Sequence, residues 1–198
     1  RHPPPLYDPR MEHDACGVGF VANDRGVPSH RIVQLGLEAL SRLTHRGAVA
    51  ADAKTGDGAG VLTQIPRALL ADDFAAAGDP KVDGDSIGVG VFFFDRHDSR
   101  SATRFRELAE ETCRTRGIRV VGWRSVPVGE SVLGADALAT APDIHHLLLA
   151  RGPSIPDGET YELRLYLARK DIENRARSES LDGNYVVSMS SRTIVYKG

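Results

Sequence analysis

Residues 87–94 read Ile-Gly-Val-Gly-Val-Phe-Phe-Phe, a short run that is apolar on both faces of an extended chain. Val89, Val91 and Phe93 alternate with Phe92 and Phe94, so neither face is polar. A strand of this kind belongs in the middle of a sheet that is covered on both sides. The chain is therefore expected to form at least three packed layers.

The other predicted elements are helices and mostly antiparallel strands. A helix over about residues 30–44, capped by Ser29, carries an apolar stripe wide enough to be covered on more than one side. Residues 185–189 and 193–196 are predicted to form a hairpin through Ser190-Ser191-Arg192. The remaining predicted helices span about 67–76, 99–116, 132–138 and 160–176, and the remaining strands 16–23, 61–65, 118–123 and 144–150. This mixture favours a layered α+β fold over a doubly wound parallel one.

The composition of the chain argues against several classes of function. A chain of 198 residues fits one large domain or two small ones, and one is expected. A net charge of −2 and a pI of about 6.4 argue against nucleic acid or an anionic membrane as the main partner. Two cysteines make no disulfide framework, so a reducing cytoplasm is the expected location. No apolar run reaches the roughly 20 residues of a membrane helix.

Cys16 is the first candidate for chemistry. It is the first residue of the predicted strand 16–23 and directly follows a leader, residues 1–15, that contains four prolines. A cysteine at a strand start is often a small buried apolar residue without chemistry. If the chain is cut after Ala15, however, Cys16 carries both a thiol and a free α-amine. That amine, with a pKa of about 7.7–8.0, could accept the thiol proton without a separate histidine.

The other candidate residues have weaker support for a chemical role than Cys16. Cys113 lies on the apolar face of a predicted helix and is interpreted as structural. The loop Gly56–Gly60 matches neither common phosphate-binding pattern, so a conformational role near a site is favoured. His145 and His146 point to opposite faces of a strand and cannot chelate one metal together, and no metal site is predicted. Arg46 is either a helix-terminal cation or a group pointing into a site.

Several segments resemble one family when they are taken together and in order. They are residues 11–20, with their Ala-Cys-Gly-Val-Gly-Phe core, and residues 39–48, 56–61, 123–128, 164–170 and 190–198. They resemble the N-terminal glutaminase domain of the glutamate synthase large subunit, a class II glutamine amidotransferase. The resemblance implies an N-terminal-nucleophile hydrolase fold, a layered αββα sandwich, present here in incomplete form. It also implies a propeptide, residues 1–15, followed by the amidotransferase domain, residues 16–198.

The resemblance also assigns roles to residues. Cys16 corresponds to the nucleophile that attacks the side-chain amide of L-glutamine. Arg46, Gly17, Asp57 and Gly58 correspond to residues that support the site or bind substrate. No cofactor is expected in this segment, whereas FMN and an iron–sulfur cluster are implied for the full-length enzyme. The implied partners are the remaining synthase domains, where ammonia meets 2-oxoglutarate, and a small electron-donating subunit.

Two parts of the family's site are missing from the sequence. No Asn-Gly pair occurs for the oxyanion hole, since Gly183-Asn184 has the reverse order, and no His-Gln-Arg-Phe motif occurs for the substrate carboxylate. The resemblance places both beyond residue 198, so the chain is expected to be an unprocessed or truncated, weakly active form. Two alternatives stay open. One is a non-catalytic regulatory or partner-binding domain, and the other an unrelated cysteine hydrolase that uses His13 or His45 as its base.

Overall fold

The computed structural model describes residues 17–43, 55–56, 58–77 and 86–197. The chain divides into two units, residues 1–59 and 60–198, and each is described by itself. No described helix is both long and apolar enough to cross a lipid bilayer.

In the first unit, residues 17–29 have no regular secondary structure apart from a turn at residues 24–25. The side chains of Val18 and Phe20 are 92% and 94% exposed. The strand predicted over 16–23 is therefore wrong for residues 17–23, and Cys16 lies outside the described residues. Alternation specifies which side chains could share a face, but a strand also needs a neighbour to accept its backbone hydrogen bonds.

Helix α1, His30–Ser41, begins where the sequence predicts. The Ser29 hydroxyl accepts a hydrogen bond from the Arg31 backbone N–H at 3.2 Å, which is the expected N-cap. No residue of α1 is buried, and Leu37 is 51% exposed. The expectation that this helix is covered on more than one side is therefore wrong, because a wide stripe shows what a helix can bury and not what lies beside it.

The second unit contains six strands and four helices among its described residues. The strands are β1 Gly60–Gln64, β2 Ile87–Phe94, β3 Arg119–Ser125, β4 Asp143–Ala150, β5 Tyr185–Ser190 and β6 Thr193–Lys197. The helices are α2 Arg67–Ala76, α3 Ser99–Thr115, α4 Ala135–Thr140 and α5 Gly158–Ser178. A single 3₁₀ turn, Glu130–Val132, precedes α4. The predicted short helix over 132–138 is thus replaced by this turn and α4.

The strands form an antiparallel four-stranded sheet in the order β3-β4-β2-β5 and a separate antiparallel pair, β1-β6. Strand β2 is interior and all eight of its residues are buried, which confirms the interpretation of its apolar sequence. The predicted β5-β6 hairpin is wrong. The two strands are consecutive but belong to different sheets, so the turn between them carries the chain from one layer to the next.

Two apolar clusters cover the two faces of the four-stranded sheet. On one face, α3 and α5 pack against β2 and β4, with Phe92, Phe105 and Leu165 at the centre. On the other face, Leu70 and Phe74 of α2 and Ile194 of β6 pack against the same strands; the strand residues of this cluster are Ile87, Val89, Val91, Phe93 and Leu148. The layered α+β fold is confirmed, as part of a sandwich.

One glycine in β2 permits the closest approach of the helical layer. A Cβ atom at Gly88 would lie 2.5 Å from the Tyr161 hydroxyl oxygen, and Tyr161 is fully buried. Only a glycine lets the α5 tyrosine reach the strand backbone here.

Candidate active site

The residue that follows Cys16 is packed against the end of α1. A Cβ atom at Gly17 would lie 3.3 Å from both Cδ atoms of Leu43, so any larger side chain would displace that leucine. Leu43 stands three positions before Arg46 in the sequence. The structure thus brings together the segments that lead to two predicted site residues. Cys16 and Arg46 themselves lie outside the described residues.

The glycine-rich loop contains one backbone conformation that favours glycine. Gly58 has a φ of +82°, in the left-handed region that other residues rarely adopt. Its neighbour Asp57 lies outside the described residues. The geometry at Gly58 supports a conformational reason for glycine at this position.

Cys113 is confirmed as a structural residue. It is fully buried on α3 in the apolar core beside the four-stranded sheet. Burial raises the pKa of its thiol to about 12. Since the thiolate is the nucleophilic form, Cys113 is unreactive at neutral pH.

The adjacent histidines lie on opposite faces of β4, as predicted. His145 stacks edge-on against Phe94 beneath α3, whereas the His146 ring lies 6.2 Å from the Tyr196 ring of β6. Burial lowers the pKa of both, and that of His146 falls to about 4 with a further contribution from Arg124. Among the described residues, no group of three His, Cys, Asp or Glu side chains could hold a metal ion.

Asn184 has a structural role that fully occupies its amide. Its Oδ1 accepts a hydrogen bond from the Asp95 N–H at 3.1 Å, and its Nδ2 donates to the Ser101 hydroxyl at 2.8 Å. Gly183 before it has a φ of +85°. The reversed Gly-Asn pair therefore joins the end of β2 to the start of α3 and offers no free donor for an oxyanion.

A carboxylate that sequence reasoning missed holds the turn between the two sheets. Glu162 of α5 accepts hydrogen bonds from the Ser190 hydroxyl at 2.6 Å and from both the backbone N–H and the hydroxyl of Ser191, at 2.7 and 2.6 Å. The Ser190 oxygen in turn accepts from the backbone N–H groups of Arg192 and Thr193. No local pattern marks Glu162, because its partners lie almost thirty positions away.

Comparison with known proteins identifies the family. The family model for class II glutamine amidotransferases matches residues 16–198. The chain belongs to this family. Among curated relatives, it is 44% identical over 187 residues to ferredoxin-dependent glutamate synthase 2 of Synechocystis. It is 38% identical over 192 residues to the glutamate synthase [NADPH] large chain of Azospirillum brasilense, and 38% identical over 204 residues to the glutamate synthase [NADH] of Saccharomyces cerevisiae.

These matches cover 94–98% of this amidotransferase chain but only 9–12% of the relatives' length. The resemblance to the glutaminase part of glutamate synthase is thereby confirmed, and the chain is an enzymatic domain. The relatives are much longer proteins with further domains. A non-catalytic domain is not favoured.

The amidotransferase chain does not fit an iron–sulfur cluster by itself. Such clusters are held by about four cysteine thiolates. The whole sequence has two cysteines, and Cys113 is enclosed in the core. A cluster in the longer synthases would need ligands outside this chain.

Proposed function

We propose that this amidotransferase domain hydrolyses L-glutamine to glutamate and ammonia, with Cys16 as the nucleophile after residues 1–15 are removed. The observation that carries the proposal is the position at which the family match starts, which is residue 16. The alternative thiol, Cys113, is buried and protonated. Arg46, Gly17, Asp57 and Gly58 are proposed to support the site. The packing of Gly17 against Leu43 supports a structural role for Gly17 beside the site.

The proposed chemistry uses the two groups of one residue. The free α-amine of Cys16 accepts the thiol proton, and the thiolate attacks the carboxamide carbon of glutamine. The tetrahedral intermediate collapses to a γ-glutamyl thioester, and the ammonium form of the α-amine returns the proton to the leaving ammonia. Water, deprotonated by the same amine, then attacks the thioester and releases glutamate and the thiol.

The leader is proposed to control this chemistry because it determines whether the Cys16 nitrogen is an amide or a free amine. While Ala15 is attached, the Cys16 nitrogen is an amide and cannot act as a base. The free thiol, with a pKa of about 8.5, is then mostly protonated at neutral pH. Removal of residues 1–15 is therefore proposed to be the activating step.

In the longer synthases, we propose that the ammonia reacts with 2-oxoglutarate in another domain. FMN and an iron–sulfur cluster, held outside this chain, would supply the reducing equivalents there. The remaining synthase domains and a small electron-donating subunit are the partners that this proposal requires.

The test compares ammonia release from glutamine by the 198-residue chain and by a chain that begins at Cys16. We expect essentially no turnover from the first and measurable turnover from the second. Because Asn184 is occupied and no Asn-Gly is present, the second rate should lie about a hundredfold or more below that of an intact amidotransferase.

Two variants of the chain that begins at Cys16 serve as controls. Cys16→Ala should abolish ammonia release, whereas Cys113→Ala should keep it. Equal turnover from the 198-residue chain, or retained turnover in Cys16→Ala, would refute the proposal. Intact mass of the protein recovered from cells reports whether residues 1–15 are removed.

A further inference from the structure

Residues 126–142, which we call the flap, connect β3 to β4 and are held by little apolar packing. Every residue of the flap is described, and none of its Val or Leu side chains is buried. Val128, Val132 and Leu138 are 46%, 77% and 41% exposed. Neither the 3₁₀ turn nor α4 buries any residue. Apolar burial therefore does not explain what holds the flap in its position.

Polar contacts from one loop hold the flap instead. Arg96, two residues after β2, donates from Nη2 to Glu130 Oε1 at 2.8 Å and to the Pro142 carbonyl at 3.3 Å. The same nitrogen lies 3.5 Å from Asp143 Oδ1 at the start of β4. The neighbouring His97 places Nε2 3.2 Å from the Ala139 carbonyl oxygen, a geometry in which a protonated Nε2 donates. Arg96 thus contacts the flap at Glu130 and at its last residue, Pro142, and His97 contacts α4.

The backbone attaches the flap at its base. The Val126 N–H donates to the Ile144 carbonyl at 3.0 Å, which continues the β3-β4 pairing by one step. The other backbone hydrogen bonds seen within the flap are local to its turns, such as Leu138 N–H to the Gly134 carbonyl. This arrangement is a loop with a fixed base and a distal part that depends on side-chain contacts.

A solvent-open depression lies beside the flap, and one donor there is unsatisfied. The depression has a volume of about 130 Å³ and is lined by Arg96, Glu130, Asp143 and His145, among others. The Arg96 Nε is buried and has no acceptor among the described residues. A buried donor without a partner destabilises this arrangement, while a partly exposed ion pair stabilises it only weakly. The Arg96 and Glu130 side chains are 24% and 45% exposed, so solvent screens their ion pair.

We propose that Arg96 and His97 latch the flap in place, and that the flap opens about its base at residues 126 and 144 when these contacts break. This inference does not depend on the proposed glutaminase activity. It rests on the side-chain contacts, on the absence of apolar anchoring in the flap and on the unsatisfied Arg96 Nε.

Hydrogen exchange of the 198-residue chain, followed by mass spectrometry of peptides, tests the latch. In Glu130→Gln, the flap amides should exchange about fivefold faster than in the unaltered chain. In Arg96→Gln, the increase in exchange rate should be larger, because that change removes the cation from all its contacts. Arg96→Lys, which keeps a cation within reach of Glu130, should restore part of the protection. In the unaltered chain, raising the salt from 0.05 to 1 M should accelerate flap exchange without affecting β2.

Arg104→Gln is the matched control. It removes a comparable ion pair, Arg104 Nε to Glu179 at 2.7 Å, at a distance from the flap. It should leave flap exchange unchanged. The proposal is overturned if flap exchange in Glu130→Gln and in high salt equals that of the unaltered chain in low salt. It is also overturned if β2 and β4 amides accelerate as much as the flap, since the variants would then act on the whole sheet.

Discussion

His146 shows how one buried side chain couples the fold to pH. It is 2% exposed, and its Nδ1 is buried without a hydrogen-bond partner in the described structure. Arg124 is its neighbour across the β3-β4 pair and forms an ion pair with Asp73 of α2 at 2.8 Å. Burial disfavours the charged ring most strongly, and a proton on the imidazole would also place a second cation beside Arg124. The fold therefore favours the neutral ring, and its pKa falls from 6.5 to about 4.

This shift predicts a loss of stability in acid. The unfolded chain binds the proton near pH 6.5 and the folded chain only near pH 4, so the free energy of unfolding falls as the pH decreases through that window. The loss attributable to His146 is about 3 kcal/mol at pH 4.

Urea denaturation at pH 7 and pH 4 measures this loss. His146→Leu should show a correspondingly smaller decline, whereas His30→Gln, at an exposed position of α1, should decline as the unaltered chain does. An equal decline in His146→Leu would show that the ring does not resist protonation in the folded state.

Among the elements, the β5-β6 connection decides how the two sheets are joined. Two β-rich segments separated by three polar residues predict a hairpin, yet β5 pairs with β2 and β6 pairs with β1. Glu162 supplies acceptors for the donors that a hairpin ladder would otherwise use at this turn. The separation of β5 from β6 thus depends on a long-range carboxylate contact.

Removal of that carboxylate should destabilise the second unit. Glu162→Ala loses three charge-assisted hydrogen bonds and leaves the Ser191 N–H without its acceptor. We expect the free energy of unfolding to fall by about 2–4 kcal/mol. Glu162→Gln should lose less, because one amide oxygen can still accept.

The matched control is Glu159→Ala, on the exposed first turn of the same helix. It should change the free energy of unfolding by less than about 1 kcal/mol. Chemical denaturation that gives Glu162→Ala the same stability as this control would contradict the assigned role of the turn.

Elements whose own residues specify their conformation were predictable from the sequence. Strand β2 is apolar on both faces, and α3 carries a clear amphipathic stripe, so both could be placed within a few residues. Residues 17–23 and the β5-β6 turn could not be placed correctly, because their conformation depends on what does or does not lie beside them. The same limit applies to the Arg96 contacts, which join residues 34 and 46 positions apart.

At the scale of the molecule, the layered α+β fold follows from β2 together with the amphipathic helices, and the structure confirms it. The proposed site is different, because its chemistry would depend on a chain cut that no fold pattern reveals. Cys16 stood out by its position between a proline-rich leader and glycines, while the roles of Arg46, Asp57 and Gly58 came from the family resemblance alone. The family model matches residues 16–198, and the roles of these four residues stay predictions.

The most direct measurement of the central claim is covalent labelling of the chain that begins at Cys16 by a chloromethyl-ketone analogue of glutamine. The thiolate displaces chloride, and peptide mass spectrometry locates the adduct. We expect one adduct, on Cys16, that forms more slowly in the presence of glutamine and more slowly in the 198-residue chain, while Cys113 stays unmodified in the core. Labelling of Cys113 at a similar rate, or equal labelling of Cys16 with and without residues 1–15, would contradict it.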